Sequence, residues 1–189
     1  MKGLFAYEEY IDLVEKLIQK EDNALADYTH IPIEYLYNHA KQFRKTLNSV
    51  QLNKKVYNFL SEFNKHLKWT IITEPWCGDD SFNTPYLIMM ANSAEQIHLQ
   101  IALRDQHEEL MNRHLTNGSK TIPILVCTDE NDKPLFTWGP RPAACQQMVN
   151  TLPHDISIAN KIDKIFDWYN IDKGEQVQLE IFELLKTIK

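Results

Sequence analysis

The chain has 189 residues, enough to bury a core without disulfide or metal staples. Apolar residues make up 43% and charged residues 24%, the balance of an ordinary globular protein. The formal net charge of -6 argues against a nucleic-acid partner, because binding phosphates needs a basic stripe.

The stretch Met1 to Tyr10 has no uninterrupted apolar segment and turns acidic at Glu8 and Glu9, so no secretory leader is expected. No apolar run approaches the length of a membrane span, and no membrane partner is expected. The three cysteines, Cys77, Cys127 and Cys145, are too few and too far apart for a disulfide framework, so a reducing, cytoplasmic setting is expected.

The chain begins helically. Tyr7, Tyr10, Ile11, Val14, Leu17 and Ile18 recur at helical spacing. A second helix is predicted over Ile33 to Leu47, after Pro32. A third covers about Leu52 to Leu67, with Val56, Phe59, Leu60 and Phe63 on one face that reads as core. The period then changes. Trp69 to Thr73 is a β-branched run stopped by Glu74-Pro75, and a helix is predicted from about Ser81 to Asn92. Ile97 to Leu103 alternates as a second strand. A short helix over Asp105 to Leu115 closes at Asn117-Gly118.

Thr121 to Cys127 is a third strand with a proline near its start. A turn at Asp129 to Asp132 hairpins it to a fourth strand, Pro134 to Trp138. Helices follow over about Pro142 to Leu152 and Lys173 to Ile188. This order predicts an α/β fold with a four-stranded mixed sheet, a parallel first pair and helices on both faces.

The segment Trp76-Cys77-Gly78-Asp79-Asp80 carries the chemistry. A cysteine between a strand and a helix lies near free backbone N–H groups and the positive end of the helix dipole, which favours the nucleophilic thiolate. Gly78 permits a tight turn, and Trp76 would shield one side. Asp79 and Asp80 act in the opposite sense, since a nearby anion raises a thiol's pKa; the net sign is open at this point. Both acids also have a plain reading as stabilisers of a helix start. Cys77 itself reads either as a reactive monothiol or as a thiol with no catalytic role.

Trp76-Cys77-Gly78, with Pro85 eight residues beyond the cysteine, resembles the active-site strand, loop and helix of thioredoxins. Ile122-Pro123 resembles that family's cis-proline loop, and Trp138-Gly139-Pro140 resembles its third loop. The resemblance runs from about Trp69 to Leu152. It implies a thioredoxin-like domain over 68–152, flanked by a helical N-terminal extension over 1–67 and a C-terminal one over 153–189. These extensions resemble those of some bacterial thioredoxin-like proteins with a Trp-Cys-Gly-Asp signature.

The resemblance implies Cys77 as nucleophile, with Asp80 beside it as the second candidate catalytic residue. It implies Trp76, Gly78, Ile122, Pro123 and Gly139 as the substrate groove. Asp80 replaces the family's second cysteine, which removes the usual dithiol cycle. The family's buried strand acid falls at Ile71 here, and Glu74 reads as solvated. Cys145, in the first turn of the helix after Pro142, is a candidate resolving thiol, although a disulfide needs Cα atoms roughly 4.4–6.8 Å apart.

Cys127 reads as a small buried apolar residue. Arg141 reads as facing water or attracting an anion. His107 and His114 share one helix face, read as solvated, with no third ligand nearby, so no metal is expected. No Gly-rich phosphate loop or nucleophilic Ser motif is present, and no cofactor is expected. Two functions remain open. One is monothiol thiol–disulfide exchange through Cys77 with a protein or small-molecule thiol or disulfide. The other is a non-catalytic binding module whose extra helices form a homodimer or docking surface.

Overall fold

The structure, a computed structural model, describes residues 4–188. Strand β1 (Leu4–Ala6) leads into helix α1 (Tyr7–Gln19), which buries Tyr10, Val14 and Leu17 on one stripe. A short helix, α2 (Asp22–Leu25), and a 3₁₀ turn lead to α3 (Ile33–Ser49). The buried face of α3 is Leu36, His39, Ala40, Phe43 and Thr46, so a histidine stands on an otherwise largely apolar stripe. Helix α4 (Lys54–Ser61) is capped by Asn53, whose side chain accepts from Lys55 N at 2.9 Å. It ends well before the predicted boundary at Leu67, because Leu67 already belongs to the sheet.

Strands β2 (Leu67–Thr73) and β3 (Ile97–Leu103) pair in parallel across helix α5 (Gly78–Asn92). Strand β4 (Ile124–Asp129) runs antiparallel to β2, and β5 (Pro134–Trp138) is antiparallel to β4. The sheet order is β1-β3-β2-β4-β5, so the described sheet has five strands where four were expected. The added strand is β1, antiparallel to β3 at the sheet edge. Three residues are too few to show an alternation in sequence; the free edge of β3 organises them.

Side chains alternate across the sheet as the strand period requires. Trp69, Ile71, Leu99, Ile101 and Leu125 join the main core with α1, α3, α4 and α5. Ile72, Ala102, Ile124 and Val126 face the other way and are covered by Met111 and Leu110 of α6 (Glu108–Asn112). Helices thus lie on both faces, very unequally. The expected helix over Asp105 to Leu115 is interrupted at His107, whose Nδ1 is 2.9 Å from the Leu103 carbonyl. His107 is buried, contrary to the expectation of a solvated face.

After α7 (Ala143–Asn150) comes a helix not among those expected, α8 (Ile158–Asp172), followed by α9 (Glu175–Lys186). The signals for α8 are present. Ser157 caps its start by accepting from Asn160 N, and Ile158, Ile162, Ile165, Phe166 and Tyr169 follow helical spacing. Gly174 takes a left-handed conformation (φ 73) between α8 and α9, and an added Cβ would lie 2.1 Å from the Tyr86 ring, so only glycine fits. Helix α5 is buried on nearly every side because α3, α8 and α9 all pack around it.

Candidate functional site

Cys77 is the cap residue of α5, in extended conformation (φ -82, ψ 119), at the end of the β2–α5 loop. Its thiol is buried, and Sγ donates to the Ile122 carbonyl at 3.3 Å. Burial pushes the thiol far above its ordinary value of 9.0, and Asp79 and Asp80 push in the same direction. The N–H groups of Asp80 and Asp79 pull it back by less. Desolvation therefore outweighs the helix terminus, and the resting group is a protonated thiol.

Asp80, fully buried, occupies the place of a second cysteine. Its Oδ1 accepts from the hydroxyls of Thr73 (2.7 Å) and Thr84 (2.5 Å). Its Oδ2 accepts from Tyr10 (2.8 Å) and lies 2.7 Å from His39 Nε2. Four partners fill the acceptor sites of one carboxylate, which requires the Nε2 proton of His39 to point at Asp80. Burial, with Asp80 second, holds the Tyr10 hydroxyl well above its ordinary pKa, so it remains a donor.

Asp79 fastens the other side. Its Oδ1 accepts from the Tyr169 hydroxyl of α8 at 2.6 Å, and its Oδ2 from the Arg141 guanidinium at 2.5 Å. Asn83 completes the group by donating to the same tyrosine oxygen at 2.8 Å. Arg141 is thus held in an ion pair instead of facing water. Neighbouring aspartates secure opposite walls: Asp80 ties α5 to α1 and α3, and Asp79 ties it to α8 and the β5–α7 loop.

Glu74 is buried, against expectation. Its Oε1 accepts from Asp105 N at 2.8 Å, and burial raises its carboxyl to about 7. The acid lies at the strand end rather than at Ile71, which packs in the main core.

Beside Cys77 opens a cavity of about 580 Å³. Tyr35 and His39 of α3 form one wall, Ile158, Ile162 and Phe166 of α8 another, and Trp76, Cys77 and Gly78 the floor. Phe166 lies so close over Gly78 that an added Cβ would be 2.8 Å from its ring. His39 is only 3% exposed, and its Nδ1 has no hydrogen-bond partner; Trp76 Nε1 and Arg141 Nε are likewise buried and unpartnered. All three residues line the cavity.

Trp76, Cys77 and Gly78 therefore meet at the cavity, with Asp80 one residue behind it through His39. Ile122, Pro123 and Gly139 do not line it. The Ile122–Pro123 bond is cis, Pro123 is buried, and Gly139 (φ 122) presses on it so closely that an added Cβ would lie 2.2 Å from the Pro123 oxygen. Cys145 sits in a separate apolar cluster with Phe82, Val149, Ile165 and Tyr169; burial raises its thiol to about 12, and it is absent from the cavity wall. Cys127 is buried in the main core. Sequence reasoning missed His39, whose signal is a polar residue in the stripe Leu36, His39, Ala40, Phe43. Among the described residues, no group of three or more His, Cys, Asp or Glu could hold a metal ion, and no helix is long and apolar enough to cross a membrane.

A strand leading to a cysteine at a helix start, beside a proline-started antiparallel strand in a mixed sheet, defines the thioredoxin class of folds. The family model described as Thioredoxin matches residues 28–157, and the chain belongs to that family. No curated protein matches the sequence. Among solved structures, a protein of unknown function, PA1234 from Pseudomonas aeruginosa, is 16% identical with a TM-score of 0.60, over 87% of this chain and 92% of that one. An HIV epitope-scaffold is 18% identical with a TM-score of 0.61, over the same shares of the two chains. At these identities the likeness is one of fold.

Proposed function

We propose that the protein is a thioredoxin-like protein of the Trp-Cys-Gly-Asp type that carries out monothiol thiol–disulfide exchange through Cys77. The observation that carries this reading is that Cys77 and His39 line one cavity, with His39 Nδ1 unpartnered and its Nε2 held by Asp80. In the first step Cys77 Sγ gives its proton to His39 Nδ1 and bonds to one sulfur of a disulfide. The S–S bond breaks, and the departing thiolate takes the proton from Nδ1. A second thiol then attacks the mixed disulfide and releases Cys77. Asp80 acts as a positioning residue, since its acceptor sites are already filled by protein donors.

The test is glutathione-coupled reduction of bis(2-hydroxyethyl) disulfide by the protein and by Cys77→Ser. A rate dependent on Cys77 supports the reading; equal rates remove it. A second reading is a non-catalytic binding module, favoured by the burial of Cys77 and the upward push on its thiol. It expects the Cys77→Ser protein to retain every partner while neither protein exchanges disulfides.

A further inference from the structure

Three residues that line the cavity at Cys77, His39, Trp76 and Arg141, each carry a buried polar atom with no hydrogen-bond partner. With its Nε2 engaged by Asp80, His39 has only Nδ1 left to meet a bound molecule. Trp76 Nε1 and Arg141 Nε are N–H groups and need acceptors. A buried polar group left without a partner costs roughly 1–3 kcal/mol, so a bound molecule that reached these atoms would gain by pairing them.

The rest of the wall is apolar or aromatic: Ile31, Tyr35, Ile158, Ile162, Ile165 and Phe166. Tyr35 and Ile158 are 48% and 78% exposed and lie at this cavity, so apolar surface continues to its mouth. The cavity's volume of about 580 Å³ lies within the roughly 300–1,000 Å³ typical of small-molecule sites. In the groove that the resemblance implies for an extended peptide, Cys77 Sγ is hydrogen-bonded to the Ile122 carbonyl and Pro123 is buried.

We infer that the cavity binds a low-molecular-weight apolar thiol bearing a carboxylate or carbonyl group. Its S–H donates to His39 Nδ1, its oxygen accepts from Trp76 Nε1 and Arg141 Nε, and its apolar body lies between α3 and α8. The same molecule, as a disulfide, is the exchange partner of Cys77; this second part rests on the exchange reading, whereas binding of the free thiol does not.

The probes are 2,2′-dithiodibenzoate, an aromatic disulfide with carboxylates, and bis(2-hydroxyethyl) disulfide, which is small and polar. Mixed-disulfide formation at Cys77 is followed by mass spectrometry, each rate divided by that of N-acetylcysteine with the same disulfide. The aromatic probe is expected to be favoured at least about tenfold after this division, a difference of about 1.4 kcal/mol. Ile162→Glu, which sets an anion in the α8 wall, is expected to return the ratio to that of N-acetylcysteine. Exchange with both probes in the N-acetylcysteine ratio overturns the ligand inference and leaves the exchange reading standing.

Exchange with neither probe removes the exchange reading, and binding of free 2-mercaptobenzoate to Cys77→Ser by calorimetry then decides the ligand inference. A dissociation constant below about 1 mM, lost in Ile162→Glu, supports it. No binding, or binding untouched by Ile162→Glu, overturns it.

Discussion

His39 Nε2 and Asp80 Oδ2 meet at 2.7 Å with side chains 1% and 0% exposed, and this contact joins the helical N-terminal region to the helix that starts at Cys77. A buried pair of this kind is costly to break from one side, because the remaining partner keeps its desolvation penalty. The position that holds a second thiol in a dithiol enzyme is here a structural hub.

Asp80→Cys would recreate the dithiol spacing but leave Tyr10, His39, Thr73 and Thr84 without their common acceptor. It is expected to cost about 3–5 kcal/mol of folding stability, measured by urea unfolding. A cost under about 1 kcal/mol would contradict the hub.

The thiol of Cys77 is protonated at rest, so alkylation by iodoacetamide at pH 7 is expected to be at least about tenfold slower than that of N-acetylcysteine. The rate should still be climbing above pH 9. A plateau near neutrality would show that the helix terminus prevails over burial.

His39→Gln tests the proton acceptor apart from its structural role. Gln can still donate to Asp80 but cannot take a proton. Disulfide exchange at neutral pH is expected to fall on the order of a hundredfold, within the usual range for general-base catalysis. The rate should then follow thiolate concentration alone, while thermal unfolding changes little. An unchanged pH–rate profile would assign His39 to structure only.

Glu74 has a folded value of about 7 against an ordinary 4.5. The folded state therefore holds a proton that the unfolded state releases first. The stabilisation is fully present below pH 4.5 and is lost as pH rises toward 7, about 3 kcal/mol in all. Subtracting the stability of Glu74→Gln from that of the parent should isolate this decline across the same window. A flat difference would place Glu74 in water.

Gly139→Ala would drive a Cβ to 2.2 Å from the Pro123 oxygen, a backbone atom that cannot move aside cheaply, at a φ of 122 that disfavours any side chain. The expected cost is at least about 2 kcal/mol, read as a lowered melting temperature. Gly118, with open space around it, provides the comparison: Gly118→Ala should cost only the strain of its positive φ.

Local sequence determined the order of strands β2 to β5, because alternation, β-branched runs and turn residues are written within a few positions of one another. It also determined the cysteine at a helix start, which needs only the strand, Gly78 and the helix that follows. The edge strand β1 was not legible, since three residues carry no period. Glu74 and Arg141 read as ordinary polar residues, and His39 went unread, because burial is decided by what packs over them. Those covers come from α1 and α3 for Asp80 and from Tyr169 and Arg141 for Asp79, contacts separated by 41 to 90 residues along the chain. Only tertiary packing could turn adjacent aspartates into fasteners of opposite walls and enclose a cavity at the sulfur, because desolvation belongs to a place in the fold and not to a residue type.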